Sequence, residues 1–474
     1  MYKELPINQP VYSNINNISN ASVTPDRVNT YRNSAGATVR RSGYYDYFYI
    51  GSYTSIDGMY QLGDSTIIVS DGNVYVKAIN NDVLTLGTGL FVKGKRPIFA
   101  MYGNVLYAAN GNDIVKITQL SASVLTDPAI PDGVSHVAVI DTYLLANEGG
   151  TGRVYHSKVG EPENFTEGGF FTAEQSSDSV VAIHTSWDEV LVFGTKTVER
   201  FYNDGVTPFV PINGGTLSIG CGAPYSITLI RDYFYWLSDS NELVRSTGNS
   251  YEIISEPVGD FFTNKFDNSN IIGDYIQLYS EKNKHHLYIL TNPDYEQDGV
   301  TLVYDIIKNE WQGRWGYWDD KYTRFRGNSY AEANSMALLG DYANGKIYMF
   351  GETYEDAGDL LRSSWLTGWV DHGAMAFKES HQLRLRILRG EAQKYDSKNE
   401  ATKGCELMVR WRDDGDRTWS NVHYINLGKI GEYKYYAHLN RLGRYRMRQY
   451  EFFMTDDAPL IIASAEELIE VTAL

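Results

Sequence analysis

Between about residue 65 and residue 350, short apolar runs alternate with polar turns in a pattern that recurs along the chain. Each repeat reads as an apolar strand, a polar turn, a second strand, another turn and a third strand. The second strands are predicted to begin at Val74, Val105, Tyr143, Val190, Phe234, Leu287 and Ile347. The intervals between these positions are 31, 38, 47, 44, 53 and 60 residues. Periods of about 40–50 residues are typical of β-propellers.

The turns between the predicted strands carry residues that favour tight hairpins. Asp71-Gly72, Asn110-Gly111 and Asn344-Gly345 all supply residues that tolerate a positive φ. The uneven spacing indicates an irregular propeller of six or seven blades over residues 61–355. A long array of β-sandwiches is the competing architecture. The propeller is favoured because its radial packing leaves only short strand edges exposed.

The two ends of the chain differ from the middle in their pattern of apolar and polar residues. Strict alternation in Leu383–Ile387 and Leu407–Arg412 predicts strands with one buried face, and hence a C-terminal β-sandwich over residues 356–474. Residues 1–60 include a polar, asparagine-rich stretch with few large apolar side chains. We expect an extended N-terminal arm and the first strands there. Docking of the arm on another surface and disorder of the arm both remain open. The predicted fold class is all-β.

Composition limits the classes of function. The chain has 474 residues, with 59 Asp and Glu against 42 Lys and Arg, a net charge of −17. This excess of acid argues against tight binding of a phosphate backbone, which requires Lys and Arg. Two cysteines, Cys221 and Cys405, cannot build a disulfide framework. The longest apolar runs are about four residues and no signal-peptide pattern occurs. We therefore expect no membrane span, and folding in a reducing cytoplasm.

The charge is divided unevenly along the chain. Residues 361–450 hold 17 Lys and Arg against 10 Asp and Glu, a net charge of +7. Residues 451–474 carry a net charge of −6, which leaves −18 on residues 1–360. The predicted propeller is therefore acidic, and a basic segment follows it.

The sequence contains no recognisable catalytic or cofactor motif. Its nine histidines fall in no metal-ligand spacing, and it has no phosphate-binding glycine loop and no nucleophile elbow. We therefore expect no metal, cofactor or catalytic residue. Paired acids occur at Asp319-Asp320, at 413–416 and at Asp456-Asp457, and two carboxylates can hydrolyse a glycoside. Their turn-like contexts favour solvated turn acids. A propeller glycoside hydrolase or glycan-recognition module acting on the host surface is the alternative function.

Asp414, Gly415 and Trp419 lie in a stretch similar to the Asp-box turn of sialidase-type propellers. In that turn an aspartate accepts hydrogen bonds from turn N–H groups and a tryptophan packs beneath. Here the glycine lies four residues before the tryptophan, one more than that box prefers. Even a full match would predict a structural turn rather than a catalytic site.

The densest basic cluster consists of Arg441, Arg444, Arg446 and Arg448. On a single strand the last three would share one face, with Tyr445 on the other. Such a ladder could contact acid on a neighbouring subunit, face solvent or contact phosphate. The acidic balance of the chain favours a contact between subunits.

Five segments occur in a fixed order along the chain. They are Trp187–Phe201, with Phe193, Gly194 and Glu199; Gly220–Ser226, with Cys221 and Pro224, followed by Tyr233–Leu237; Val303–Asp305 with Asn309–Trp311; Gly340-Asp341 with Gly345–Tyr348; and the run from Arg412 to Asp456. This ordered set resembles the packaged-DNA stabilisation proteins, also called tail hub or nozzle proteins, of short-tailed bacteriophages (podoviruses). The resemblance covers roughly residues 185–470. Asp416 and Arg417 depart from it, since relatives tend to have glycine ahead of the Thr-Trp pair.

The resemblance implies a structural virion protein of the phage tail, without catalytic residues, assembled in the cytoplasm of the host bacterium. It implies a homo-oligomeric ring, expected to be hexameric, below the portal and its adaptor. Such a ring would extend and close the DNA channel, retain packaged DNA and support tailspikes, fibres or a needle during DNA ejection. Genomic DNA would pass without sequence-specific binding. Part of the acid on residues 1–360 could face that channel and repel DNA, or it could simply keep the subunit soluble.

Overall fold

A computed structural model describes residues 1–7, 26–51, 53–78, 82–256, 258, 261, 270–280, 283–295, 298–316, 321–395, 401–434 and 436–472. In this part of the chain the structure consists of β-strands, a short 3-10 turn at Pro224–Ser226, and further 3-10 residues at Glu256, Val258, Phe261 and Asn270. The predicted all-β fold class is therefore confirmed. The asparagine-rich part of the expected arm, within residues 8–25, and the Asp319-Asp320 pair lie outside the described residues.

Five short strands come before the propeller. They are β1 (Tyr2–Leu5), β2 (Asp26–Val28), β3 (Thr30–Arg32), β4 (Thr38–Arg40) and β5 (Tyr44–Tyr49).

Seven antiparallel units then follow, and we number them as blades 1 to 7. Blade 1 contains β6 (Ile56–Leu62), β7 (Ser65–Ser70), β8 (Asn73–Ala78) and β9 (Leu84–Gly87); blade 2 contains β10 (Ile98–Tyr102), β11 (Val105–Ala109), β12 (Ile114–Ile117) and β13 (Ala122–Val124). Blade 3 contains β14 (Val137–Ile140), β15 (Tyr143–Asn147), β16 (Arg153–Lys158) and β17 (Glu161–Thr172); blade 4 contains β18 (Val180–Ser186), β19 (Glu189–Gly194), β20 (Val198–Tyr202) and β21 (Val210–Pro211). Blade 5 contains β22 (Thr228–Ile230), β23 (Tyr233–Leu237), β24 (Leu243–Ser246) and β25 (Tyr251–Ile253); blade 6 contains β26 (Ile272–Ser280), β27 (Asn283–Asn292), β28 (Val300–Asp305) and β29 (Glu310–Arg314). Blade 7 contains β30 (Gly327–Ala333), β31 (Met336–Asp341), β32 (Lys346–Phe350) and the N-terminal strand β5.

The N-terminal strand β5 closes the ring. It pairs antiparallel with β32, so the last blade combines three strands from the end of the propeller with one from before its start. The first strand of blade 7, β30, packs against the first strand of blade 1. The Asn328 side chain donates a hydrogen bond to the carbonyl oxygen of Ile56 across this closure, at 3.0 Å. The structure thus has seven blades, within the predicted range of six to seven.

An apolar cluster fills each boundary between neighbouring blades. Ile67 and Leu106, for example, are fully buried between blades 1 and 2, and Ile68 and Leu338 between blades 1 and 7. The blades therefore stabilise one another through both of their faces. This burial on both faces explains why the strands read as continuous apolar runs rather than as strict alternation.

Two of the predicted second strands are third strands. Val74 lies in β8, the third strand of blade 1, and Ile347 lies in β32, the third strand of blade 7. The second strands of these blades are β7 and β31. Second and third strands of a blade are equally apolar, so the pattern did not separate them. The correction makes the repeat more regular than the predicted intervals indicated.

Two further sheets lie beyond the propeller. The strands that follow β32 are β33 (Glu355–Asp356), β34 (Asp359–Leu360), β35 (Ser363–Leu366), β36 (Lys378–Ile387), β37 (Gln393–Tyr395), β38 (Ala401–Gly404), β39 (Glu406–Asp413), β40 (His423–Asn426), β41 (His438–Tyr445), β42 (Arg448–Met454) and β43 (Ile461–Val471). Strands β33 and β34 extend the sheet of blade 7 beyond β5, and β37 and β38 form a two-stranded sheet of their own. One sheet has the order β3-β4-β43-β36-β41, with β1 also paired to β43. The other runs β2-β35-β42-β39-β40 and continues into blade 6 through the parallel pair β2–β29. Together they form the C-terminal unit.

The two sheets of the C-terminal unit share one apolar core. Leu383 and Ile462 from the first sheet meet Leu407 and Phe452 from the second, and all four are buried. Strands β1 to β4 from the N-terminal segment complete both sheets. A self-contained sandwich domain over residues 356–474 therefore stays a prediction.

Candidate functional sites

The predicted arginine ladder is wrong as a feature of one strand. Arg444 lies near the end of β41, Arg446 lies in the turn that follows, and Arg448 begins β42. The chain therefore reverses direction between them, and the three side chains do not share one strand face. Arg441, Arg444 and Arg446 are exposed, whereas Arg448 is buried within its own subunit.

Arg448 belongs to an internal polar network. Its guanidinium donates to both carboxylate oxygens of Asp413, at 2.6 and 2.8 Å, and lies 3.8 Å from Glu467. Glu467 is fully buried and accepts hydrogen bonds from the hydroxyl groups of Tyr445 and Tyr450, at 2.8 and 2.7 Å. A buried carboxylate needs such partners because burial alone destabilises its charge. Arg448 therefore stabilises the interior of the C-terminal unit and is not available to a neighbouring subunit.

The exposed arginines share an aromatic support. The guanidinium groups of Arg444 and Arg446 lie 4.2 and 4.1 Å from the ring centre of Phe377. Cation–π packing of this kind orders a guanidinium group without neutralising it. Arg441 lies earlier in β41, where the pairing with β36 shifts register. We call Arg441, Arg444 and Arg446 the arginine tip.

The stretch similar to an Asp-box forms a tight turn that supports the arginine tip. Asp414 and Gly415 both have positive φ, 51° and 84°, as a type I′ turn requires. The Asp414 carboxylate accepts the backbone N–H groups of Arg446 and Met447, at 2.8 and 2.9 Å. Trp419 lies under the guanidinium groups of neighbouring strand arginines. The contacts of this turn are therefore structural. Its aspartate caps the neighbouring turn at Arg446 and Met447 rather than its own turn.

The segments around Gly194 and Gly220 build the junction between blades 4 and 5. The carbonyl oxygen of Gly194 accepts the N–H of Cys221 at 2.9 Å. The carbonyl oxygen of Gly220 accepts the indole N–H of Trp236, from β23, at 3.1 Å. A Cβ atom at Gly220 would lie 2.3 Å from the carbonyl group of Thr195. Only glycine permits this close approach of the two backbones.

The other residues of this junction are also structural. Phe193 is fully buried and packs edge-on against the ring of Trp236. Pro224 begins the 3-10 turn that leads into blade 5. Burial raises the pKa of the Cys221 thiol to about 12, so this thiol is unreactive near neutral pH. Glu199, in β20, is buried and accepts the N–H of Gln175 at 3.0 Å, which ties the entry of blade 4 to its third strand.

The remaining paired acids cap backbone groups. Asp456 accepts the N–H of Glu406 at 2.9 Å, and Asp457 accepts the N–H of Tyr354 at 2.8 Å. Within the described ranges, no three His, Cys, Asp or Glu side chains converge as a metal site. Over the same ranges, no helix is long and apolar enough to cross a membrane.

A buried junction that sequence reasoning missed joins the propeller to the C-terminal unit. Arg40 and Arg41 are both fully buried. Arg40 donates to the Ser363 hydroxyl at 3.0 Å and to the carbonyl oxygen of Ala458 at 3.1 Å. Arg41 forms a two-pronged ion pair with Asp356. No local pattern marks these arginines, because Ser363, Ala458 and Asp356 all lie more than 300 residues away in sequence.

The axis of the propeller is crossed by side chains that were also not predicted. Arg96 precedes β10 of blade 2 and pairs with both carboxylate oxygens of Asp274, in β26 of blade 6. Blades 2 and 6 are not neighbours, so this pair spans the ring. The ring of His136, before blade 3, stacks on Tyr225, before blade 5, with centroids 5.8 Å apart. The first contact bridges across two intervening blades, 7 and 1, and the second bridges across one, blade 4.

The sequence of the propeller matches a known protein family. A family model described as bacteriophage P22 Gp10, β-propeller, matches residues 64–355. This range is well over half of the 474 residues and extends from the turn after β6 into β33. No curated protein matches the chain.

Solved structures similar to parts of this chain include the computationally designed Ika8 protein, at 9% identity and a TM-score of 0.40, covering 63% of this chain and 97% of that one. The extracellular domain of the putative one component system BT4673 from B. thetaiotaomicron has 12% identity and a TM-score of 0.44, covering 82% of this chain and 48% of that one. BBS1N in complex with ARL6DN has 12% identity and a TM-score of 0.41, covering 66% and 98%.

Proposed function

Because the chain belongs to the bacteriophage P22 Gp10 family of β-propeller proteins and is thus a structural protein of the phage tail, we propose that it acts as the tail hub or nozzle. In this role a ring of subunits lies below the portal and adaptor, extends and closes the DNA channel, and retains packaged DNA until ejection. The observation that carries the proposal is the family match across residues 64–355, the range that holds almost all of the propeller strands.

The crossed propeller axis supports a DNA path between subunits rather than through one. The Arg96–Asp274 pair and the His136–Tyr225 stack occupy the axis of each propeller. A channel for duplex DNA must then be formed by the ring as a whole. The net charge of −18 on residues 1–360 favours a wall that repels phosphate and lets DNA slide. A lumen lined by Lys and Arg in the assembled ring would contradict this acidic wall.

The arginine tip is our candidate for contact between subunits. Phe377 orders the guanidinium groups of Arg444 and Arg446, and all three arginines are exposed in a segment of net charge +7. An acidic neighbouring propeller is a complementary partner, and such complementarity fixes orientation and specificity. We propose a hexameric ring that carries tailspikes, fibres or a needle and assembles in the host cytoplasm.

We propose no enzymatic activity. The acids that a propeller glycoside hydrolase would need, Asp413, Asp456 and Asp457, are engaged in ion pairs or cap backbone groups. Their partners come from different parts of the C-terminal unit. They do not converge on one open cleft, which is what acid and base catalysis of glycoside hydrolysis requires.

Reconstitution tests the hub. The purified chain is mixed with the portal and adaptor of its own phage and imaged by negative-stain electron microscopy. We expect a ring of subunits on the adaptor, and failure to join the assembly would reject the hub. A variant with Arg441, Arg444 and Arg446 changed to Gln should keep the wild-type melting temperature but lose the ring. Normal ring formation by that variant would reject the arginine tip as the interface and leave the hub standing.

A further inference from the structure

A cavity of about 290 Å³ opens on the propeller axis, at the end where the first strands of the blades begin. Residues from blades 1, 2, 5, 6 and 7 or their entry loops line it, including Lys95, Arg96, Tyr225, Arg324 and Tyr342. We call this space the axial cavity. Its volume suits a ligand of the size of a monosaccharide and is far too small for a nucleic acid strand.

The axial cavity is positively charged in an otherwise acidic propeller. The charge of Arg96 is neutralised by its ion pair with Asp274. Lys95 is exposed at the rim, and no carboxylate of the described residues lies within ion-pair distance of it. Asp294, which also lines the cavity, accepts a hydrogen bond from the Asn270 amide at 3.1 Å. The cavity therefore presents more cationic than anionic groups to an incoming ligand.

Arg324 has one buried donor without a partner in the described part of the chain. Its Nη2 donates to the Asn328 side-chain oxygen at 2.9 Å, and its guanidinium lies 4.5 Å from the ring centre of Tyr342. Its Nε is buried and has no hydrogen-bond partner among the described residues. Burial lowers the pKa of Arg324 to about 10, against the smaller opposing effects of Tyr342, Asp341 and Asp294. A buried cation with an unused donor is stabilised by an anion placed beside it.

We infer that the axial cavity binds a small molecule through an oxyanion, a carboxylate or phosphate group, held by Arg324 and Lys95. Guanidinium groups suit planar carboxylates and phosphates, and a flexible ammonium group adds a second positive charge. The rings of Tyr225 and Tyr342 provide walls for the body of the ligand. This site does not depend on the proposed function, since it lies within one propeller.

Calorimetric titration of the intact protein tests the site with three probes: inorganic phosphate, glucuronate and glucose. We expect one ligand per chain for phosphate, glucuronate or both, and no binding of glucose. A comparison of phosphate with glucuronate shows whether the cavity binds a phosphate group, a carboxylate group or both. Arg324→Gln should weaken the binding at least tenfold, because it removes the buried charge and keeps a side chain of polar character.

Two further variants serve as a control and as a second test of the axial cavity. Arg153→Gln is the matched control, since Arg153 also stacks on an aromatic ring, that of Phe170 at 4.7 Å, but lies in blade 3 away from the cavity. It should bind as wild type. Lys95→Gln changes an exposed rim residue and should weaken binding even if the Arg324 variant does not fold. Absence of oxyanion binding by the wild type, equal binding of glucose and glucuronate, or unchanged binding by both cavity variants would overturn the inference.

Discussion

Arg41 donates hydrogen bonds to both carboxylate oxygens of Asp356, at 3.0 and 2.5 Å, although 315 residues separate them in sequence. Arg41 is fully buried and its guanidinium lies over the rings of Trp315 and Phe325, at 5.3 and 5.2 Å. The pair therefore joins the N-terminal segment, blades 6 and 7, and the strand that leaves the propeller. A single charge pair at this position holds together three parts of the chain.

Arg41→Met should destabilise the protein by about 3–5 kcal/mol, because it leaves the Asp356 carboxylate buried without its partner. The free energy of unfolding is measured by urea denaturation. The matched control is Lys346→Met, which breaks the exposed pair with Asp46 at 2.9 Å. That change should cost less than about 1 kcal/mol. Equal effects of the two changes would contradict the structural role of the buried pair.

Gly220→Ala should destabilise the boundary between blades 4 and 5 by about 1–3 kcal/mol. The added methyl group would lie 2.3 Å from the Thr195 backbone, so one of the two segments would have to shift. Gly152→Ala is the control in blade 3, where the nearest atom, the Ala173 carbonyl oxygen, would be 3.2 Å away. The two melting temperatures should differ, with the Gly220 variant lower. A Gly220 variant as stable as the Gly152 variant would show that the junction can relax.

Burial raises the pKa of Asp57 from 3.8 to about 6, against the opposing hydrogen bonds from Ser55 and the Gly94 N–H. A raised carboxyl pKa means that the folded state favours the protonated form. The contribution of Asp57 to stability is therefore full below pH 4 and is lost as the pH rises through about 6.

Relative to wild type, Asp57→Asn should thus gain up to roughly 3 kcal/mol between pH 4 and pH 7. Urea denaturation of both proteins across this range measures the gain. A difference between the two proteins that stays constant from pH 4 to pH 7 would refute the assignment.

Arg448→Gln should cost about 3–5 kcal/mol, because Asp413 and Glu467 would lose their buried cation. Arg444→Gln, four residues earlier, removes an exposed guanidinium and should change the free energy of unfolding by no more than about 0.5 kcal/mol. Thermal unfolding of the two variants checks the contrast. Similar losses for both would mean that the arginine tip also stabilises the isolated subunit.

Sequence periodicity predicted the propeller because every blade must meet the same physical requirements. A blade buries both of its faces and must turn tightly between strands, so apolar runs and Asp-Gly or Asn-Gly turns recur at each repeat. Asp71 and Gly72 have the positive φ values, 52° and 78°, that such a turn needs. The fold class and the approximate blade number followed from this local pattern, whereas the family followed from the resemblance of five ordered segments.

The features that were not predicted depend on contacts between distant parts of the chain. The ring closure by β5 and the Arg96–Asp274 pair each join segments that are far apart in sequence. The prediction that the arginines share one strand face was wrong for a related reason. Their regular spacing resembled that of a strand, but Asp414 stabilises a turn in the middle of the cluster. Local alternation cannot distinguish a strand from two strands joined by a tight turn.

The closure of blade 7 by β5 also constrains the order of folding during synthesis. Tyr49 pairs with Lys346, so a strand made early must wait for about 300 further residues before its partner leaves the ribosome. Strand β1 waits longer still, because it pairs with β43. Non-local pairing of this kind slows folding and leaves strand edges open in the meantime. A chain that stops short of β32 cannot seal its ring, so only subunits translated through the last blade can present a closed propeller for assembly.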